Sequence, residues 1–115
     1  MAGLLDSYLN IGANALAAAA PFLGLATADP GVNGGNATSA PRRPAGWAQA
    51  VNGDVSIGAP VSFAGGASNG PVTHVTLWSA QTGGTFRGSL AIPPGSDLSF
   101  NAAGNYSVDA LTLAG

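Results

Sequence analysis

Cysteine, lysine and glutamate are all missing from this 115-residue sequence. Without cysteine there is no disulfide framework, no thiolate nucleophile and no zinc knuckle, and the redox compartment leaves no mark. Ionised groups are scarce: three arginines and five aspartates make up 7% of the chain, against roughly 25% in an ordinary soluble domain. Three cations cannot form a basic stripe, which excludes direct nucleic-acid binding by electrostatics. The same shortage removes polybasic attachment to an anionic membrane. A single histidine, His74, leaves no two-histidine metal site and no His–Cys pair.

What the chain does have is apolar residues, at 46%, with eighteen glycines and eight prolines. That content and a net charge of only −2 argue for a folded, turn-rich domain, because disordered chains are poor in apolar residues and rich in net charge. A surface so close to neutral favours association over dispersal. The composition therefore predicts a subunit of an assembly more readily than a free catalyst.

The opening segment imitates a secretory signal, with an apolar run from Ala15 to Ala28 and a small-residue Ala26-Thr27-Ala28 step. No cation precedes the run, Asp6 stands where positive charge is wanted, and Pro21 interrupts it, so a signal peptide is rejected. The run is also too short for a membrane span. The remaining reading is an amphipathic helix over about 4–19, within an N-terminal segment 1–20. Leu5, Leu9, Gly12 and Leu16 form one stripe; Leu4, Tyr8, Ile11 and Ala15 form a neighbouring one. Asp6 complements the dipole in the first turn, and Pro21 ends the helix. Such a wide apolar band suits either a helix lying on its own sheet or an arm docked on a neighbour. Leu5, Tyr8, Leu9 and Leu16 are the candidate contacts in the second case.

Residues 21–115 change to strand patterning. Short apolar runs at 22–28, 47–51, 54–57, 61–63, 72–78, 86–92, 97–100 and 107–113 are separated by turn signals such as Asn52-Gly53, Asn69-Gly70-Pro71 and Thr82-Gly83-Gly84. This spacing predicts an all-β domain, an antiparallel sandwich or barrel of about seven to eight short strands with one N-terminal helix. Val72–Trp78 alternates without a plainly polar side, which predicts cover on both faces. Residues 32–46 read as a long exposed loop. Within it Arg42-Arg43, bracketed by prolines, suits a grip on a partner carboxylate or simple solvation. Trp47 and Trp78 are either anchors or core.

No catalytic constellation emerges. No nucleophile-elbow spacing surrounds any serine, and Asp6, Asp29, Asp54 and Asp97 sit beside turns or element ends, where aspartate serves the local backbone. Asp109 lies mid-strand and is expected to pair with Arg87. Gly31–Asn36 is glycine-rich but lacks the Lys-Ser/Thr of a phosphate loop, and Asp29, Asn33 and Asn36 supply too few carboxylates for calcium. No metal and no cofactor is expected, and the chain reads as non-enzymatic.

The order of landmarks carries a resemblance. Phe22-Leu23-Gly24-Leu25-Ala26-Thr27-Ala28-Asp29-Pro30-Gly31 is followed by Val72-Thr73-His74-Val75-Thr76-Leu77-Trp78, then Ala80-Gln81-Thr82-Gly83-Gly84-Thr85, Gly88-Ser89-Leu90 and Gly95-Ser96-Asp97-Leu98-Ser99-Phe100. Over about residues 21–113 this resembles the small virion proteins of tailed bacteriophages catalogued as tail-fibre proteins. The resemblance implies a virion structural protein, with the major capsid protein or other virion proteins as partners and a homo-oligomer, a trimer by preference. Within that frame, the small β-domain with an apolar arm leads to the expectation of a decoration protein on the capsid surface; a tail or tail-fibre component that binds a host surface is the alternative.

Overall fold

The computed structural model describes residues 6–93 and 95–114, with side chains from Asn10 to Leu113. Helix α1 (Asp6–Ala19) comes first. The Ala-rich sequence propagates it well, and a last-turn bond from the Ala20 N–H to the Ala17 carbonyl (3.2 Å) closes it before Pro21. Eight strands follow: β1 (Phe22–Ala26), β2 (Arg43–Pro44), β3 (Asp54–Ser56), β4 (Val61–Phe63), β5 (His74–Trp78), β6 (Phe86–Ala91), β7 (Tyr106–Val108) and β8 (Thr112–Ala114). All pair antiparallel, and no barrel closes. The expected helix-plus-sandwich architecture holds.

One layer is a four-stranded sheet in the order β2-β1-β5-β6. Its centre is the full-length pairing of β1 with β5, from Phe22↔Trp78 to Ala26↔His74. Val75, Thr76 and Leu77 are all buried, so β5 is covered on both faces as its alternation predicts. The register between β5 and β6 shifts at Leu77/Trp78, and this bulge falls beside Gly88, whose φ is 145°. One sheet edge is therefore β6 with its irregular ladder, and the other is β2 with Pro44, which has no N–H to offer.

The second layer consists of two ribbons, β4–β7 and β3–β8. The same two chain segments pair in both: 61–63 with 106–108, then 54–56 with 112–114. Between them Gly58-Ala59-Pro60 stands opposite Asp109-Ala110-Leu111, and Pro60 cannot donate to a ladder. The expected single strand at 107–113 is thus split in two. The expected strands at 47–51 and 97–100 are also reduced, to isolated bridges: Trp47↔Ile57, Val51↔Asp54 and Pro71↔Ser99. Conversely β2 lies inside the stretch 32–46 read as a loop, and Ala40 and Ala45 are buried there.

The main core lies between the layers. Leu23, Leu25, Val75 and Leu77 from the sheet meet Val61, Phe63, Tyr106 and Val108 from β4–β7, with Val72 and Phe100 filling the end. A second, smaller cluster seats α1 on β3–β8: Ala13 and Ala17 pack against Ala50 and Val55, flanked by Trp47 and Leu113.

Candidate functional site

The helix is seated with its bulkier described apolar residues facing out. Asn10, Ala13, Asn14 and Ala17, at steps of three, one and three, form the inner stripe. The Asn14 side-chain oxygen accepts the Ala50 N–H (3.0 Å), and that of Asn10 accepts the Gly53 N–H (2.8 Å). Small side chains and amides thus fix α1 close to the β3 turn. Ile11, at 69% exposure, and Leu16, at 52%, project to solvent, with Gly12, Ala15 and Ala18 also exposed. Leu5 lies outside the described residues, as do the side chains of Tyr8 and Leu9. The two readings of the helix are therefore not exclusive: one face serves its own domain, and Ile11 and Leu16 on the other are exposed among the described residues.

Trp47 joins the two cores. It packs against both clusters, and its indole N–H donates to the Ala20 carbonyl (2.8 Å) just past the helix end, one of the groups that a helix terminus leaves unpaired. Its open flank, with Asn14, Ala17, Ala18 and Gln49, lines a shallow depression of about 400 Å³ beside α1.

Neighbouring arginines have diverged completely, because successive residues of an extended chain point to opposite sides. Arg42 lies 3.4 Å above the centroid of the Trp78 ring and donates to the Ala80 (3.0 Å) and Gly83 (2.6 Å) carbonyls. Gln81 returns a bond to the Arg42 carbonyl (3.4 Å). Trp78 donates to Thr76 Oγ1 (2.9 Å) and tilts against Phe86 at 5.2 Å. Gly24 makes room for this clasp, since a Cβ there would stand 2.6 Å from Thr76 Oγ1. Burial holds the Arg42 pKa below its ordinary value. Its hydrogen bonds go to the 80–83 turn of its own domain.

Arg43 is exposed, and its side chain has no hydrogen-bond or ion-pair partner among the described residues. It lines an open groove of about 670 Å³ together with Ser62, Asp97, Asn101, Asn105 and Tyr106. The Tyr106 hydroxyl donates to the Asp97 carbonyl (2.6 Å), and its ring meets Phe100 edge-on at 6.2 Å. Burial first, and then the nearby Asp97 and Asp109 carboxylates, raise the Tyr106 pKa above its ordinary value of 10.0. A raised folded-state value means that this stabilisation is complete below the ordinary tyrosine range and is lost as pH climbs through the folded-state value. Tyr106→Phe should cost about 1 kcal/mol at neutral pH, the typical net worth of one hydrogen bond. The gap between wild type and variant should close at alkaline pH, as read from urea midpoints along a pH series. A gap that widens with pH would contradict it.

The remaining candidates serve the backbone. Asp29 accepts the Gly31 N–H (2.9 Å), and Asn36 donates to the Asp29 carbonyl (3.0 Å), so both close the 29–36 turn. His74 Nδ1 bonds Thr73 Oγ1 (2.7 Å). In place of the expected Asp109–Arg87 pair, Ser107 donates to Asp109 two residues on (2.6 Å), and Arg87 Nε donates to the distant Ala19 carbonyl at the end of α1 (3.2 Å). Among the described residues, no group of three or more His, Asp or Glu could hold a metal ion, and no helix is long and apolar enough to cross a membrane. The sequence reading missed the inward role of Asn10 and Asn14. Their spacing of four, in an otherwise apolar helix, was the available signal.

The fold is that of a small antiparallel β-domain, a sandwich-like arrangement with one helix packed on it. A family model described as Podophage GP4 fiber I protein gp80 matches residues 2–112, and the chain belongs to this family of phage fibre proteins. It is accordingly a virion structural protein of tailed-phage type. No curated protein matches it.

Proposed function

We propose that this protein is a non-enzymatic accessory subunit of the fibre apparatus, attached to a neighbouring virion protein through the outer face of α1. The observation that carries the reading is the exposure of Ile11 and Leu16 on a helix whose opposite face is already bonded to its own domain. The described part of α1 carries a single charge, Asp6, so the partner surface it fits is apolar and uncharged. Trp47 and the depression beside it extend that surface, and Arg43 supplies a separate cationic contact. Assembly of the protein with itself, as a trimer, draws on the same shortage of charge.

The fibre description of the family favours a tail-side position. Decoration of the capsid surface is the second reading, favoured by the nearly neutral composition and the outward apolar helix, which suit cementing between capsid subunits.

The test is a phage carrying Ile11→Asp with Leu16→Asp. Both positions are exposed, so the purified variant should keep its stability within about 0.5 kcal/mol per substitution. Its incorporation into particles should fall at least about tenfold, the loss of one modest interface contact of about 1.4 kcal/mol. Normal incorporation would refute docking through this face. Copy number per particle separates the two positions. A number matching the few attachment points of the tail supports the fibre reading, and one matching the many subunits of the head overturns it.

A further inference from the structure

Three Asn-Gly steps occur in the sequence, at Asn33-Gly34, Asn52-Gly53 and Asn69-Gly70. All three asparagines are exposed, so accessibility does not distinguish them. Hydrogen bonding does. The Gly53 N–H is held by the Asn10 side chain (2.8 Å), and the Gly70 N–H by the Ala67 carbonyl (2.9 Å). The Asn69 side chain is itself engaged, donating to Ser68 Oγ (3.4 Å). The Gly34 N–H has no acceptor among the described residues, and neither has the Asn33 amide.

We propose that Asn33 is the site of spontaneous backbone-assisted deamidation in this protein, and that the folded structure protects the other two. The Gly34 amide nitrogen gives its proton to solvent and attacks Cγ, the amide carbon of the Asn33 side group. The new bond from nitrogen to Cγ closes a five-membered succinimide as the bond between Cγ and Nδ2 breaks and ammonia leaves. Water then adds to one of the two ring carbonyls, which yields aspartate or isoaspartate. Glycine suits the step because it has no side chain to obstruct ring closure. At Gly53 and Gly70 the attacking nitrogen would first have to release its bond, which slows the reaction by about fivefold for one ordinary hydrogen bond.

The consequence is local and electrostatic. Each event adds one carboxylate, taking the formal charge from −2 to −3 on a protein with only eight charged residues to begin with. The isoaspartyl product also lengthens the main chain beside Gly34, where an added Cβ would stand 2.7 Å from the Trp78 ring. The turn that backs the Arg42–Trp78 clasp is therefore the part altered.

The experiment incubates the folded, full-length protein at mildly alkaline pH and follows peptide maps for the mass gain of amide-to-acid conversion. A urea-unfolded sample is run in parallel. In the folded protein, conversion at Asn33 should exceed that at Asn52 and at Asn69 by about fivefold or more, the factor for one released hydrogen bond. In the unfolded sample the three should convert at similar rates, and Asn33→Ser should remove the dominant acidic species from the folded one. Equal or faster conversion at Asn52 or Asn69 in the folded protein would overturn the assignment. So would an unconverted Asn33 over a period in which the unfolded sample reacts.

Discussion

Replacing Gly104 with alanine is expected to destabilise the protein by about 2–5 kcal/mol, the sum of a left-handed backbone penalty of about 1–2 and an overpacking penalty of about 1–3. Gly104 is buried at φ 77°, and its Cβ would stand 2.2 Å from the Gly66 carbonyl oxygen. The obstacle is main chain and cannot rotate away. It is also tied in place, because the Gly66 N–H donates to the Gly104 carbonyl (3.0 Å) while the Gly104 N–H donates to Asn101 (3.0 Å). Asn101 braces the same turn by accepting the Ala103 and Asn105 N–H groups on its side-chain oxygen. Gly83 provides the control, with φ 61° but nothing within 4 Å of its Cβ position. Gly83→Ala should therefore show the backbone penalty alone, about 1–2 kcal/mol. Urea titration of the two variants measures the difference. Equal losses would show that the crowding at Gly66 is relieved at little cost.

Truncation of Phe63 to alanine should cost about 3–5 kcal/mol, the usual range for a buried phenylalanine. Phe63 is 1% exposed, faces Tyr106 across β4–β7, and is the largest of the fully buried side chains. Its removal empties space between the ribbon layer and the sheet, in the cluster that holds Leu23, Leu25 and Val75. Domains of this size have only about 5–15 kcal/mol of stability in total, so the variant should melt far below wild type. Val32→Ala, at a residue 90% exposed, should stay within about 0.5 kcal/mol. A loss below about 1 kcal/mol for Phe63→Ala, read from the urea midpoint, would mean that the two layers collapse onto the gap.

Both effects depend on contacts between residues far apart in sequence, and this separates what the sequence revealed from what it did not. The helix end at Pro21, the strand from Phe22, and the double-sided burial of Val72–Trp78 are local or periodic properties, and each was readable. β2 was not, because a two-residue strand holding Arg43 and Pro44 has neither alternation nor β-branched residues to mark it. The break at Asp109–Leu111 was invisible because its cause lies opposite, at Gly58–Pro60, about fifty residues away. Helical spacing grouped Leu5, Leu9 and Leu16 on one stripe but could not show that Ala13 and Ala17 would take the inner side. Close seating on β3 rewards small side chains there. The Arg42-Arg43 pair posed the same difficulty. Composition marks two exposed cations, whereas the fold stacks one on Trp78 and leaves the other in the open groove.

The irregular rims of the four-stranded sheet also bear on how such subunits coexist when crowded. A flat outermost strand would invite its counterpart on another molecule to add on, and the stacking could continue without limit. Here one margin ends in a proline and the other buckles at Gly88. A molecule with few charges to repel its copies thus offers no long regular margin on this sheet for strand addition.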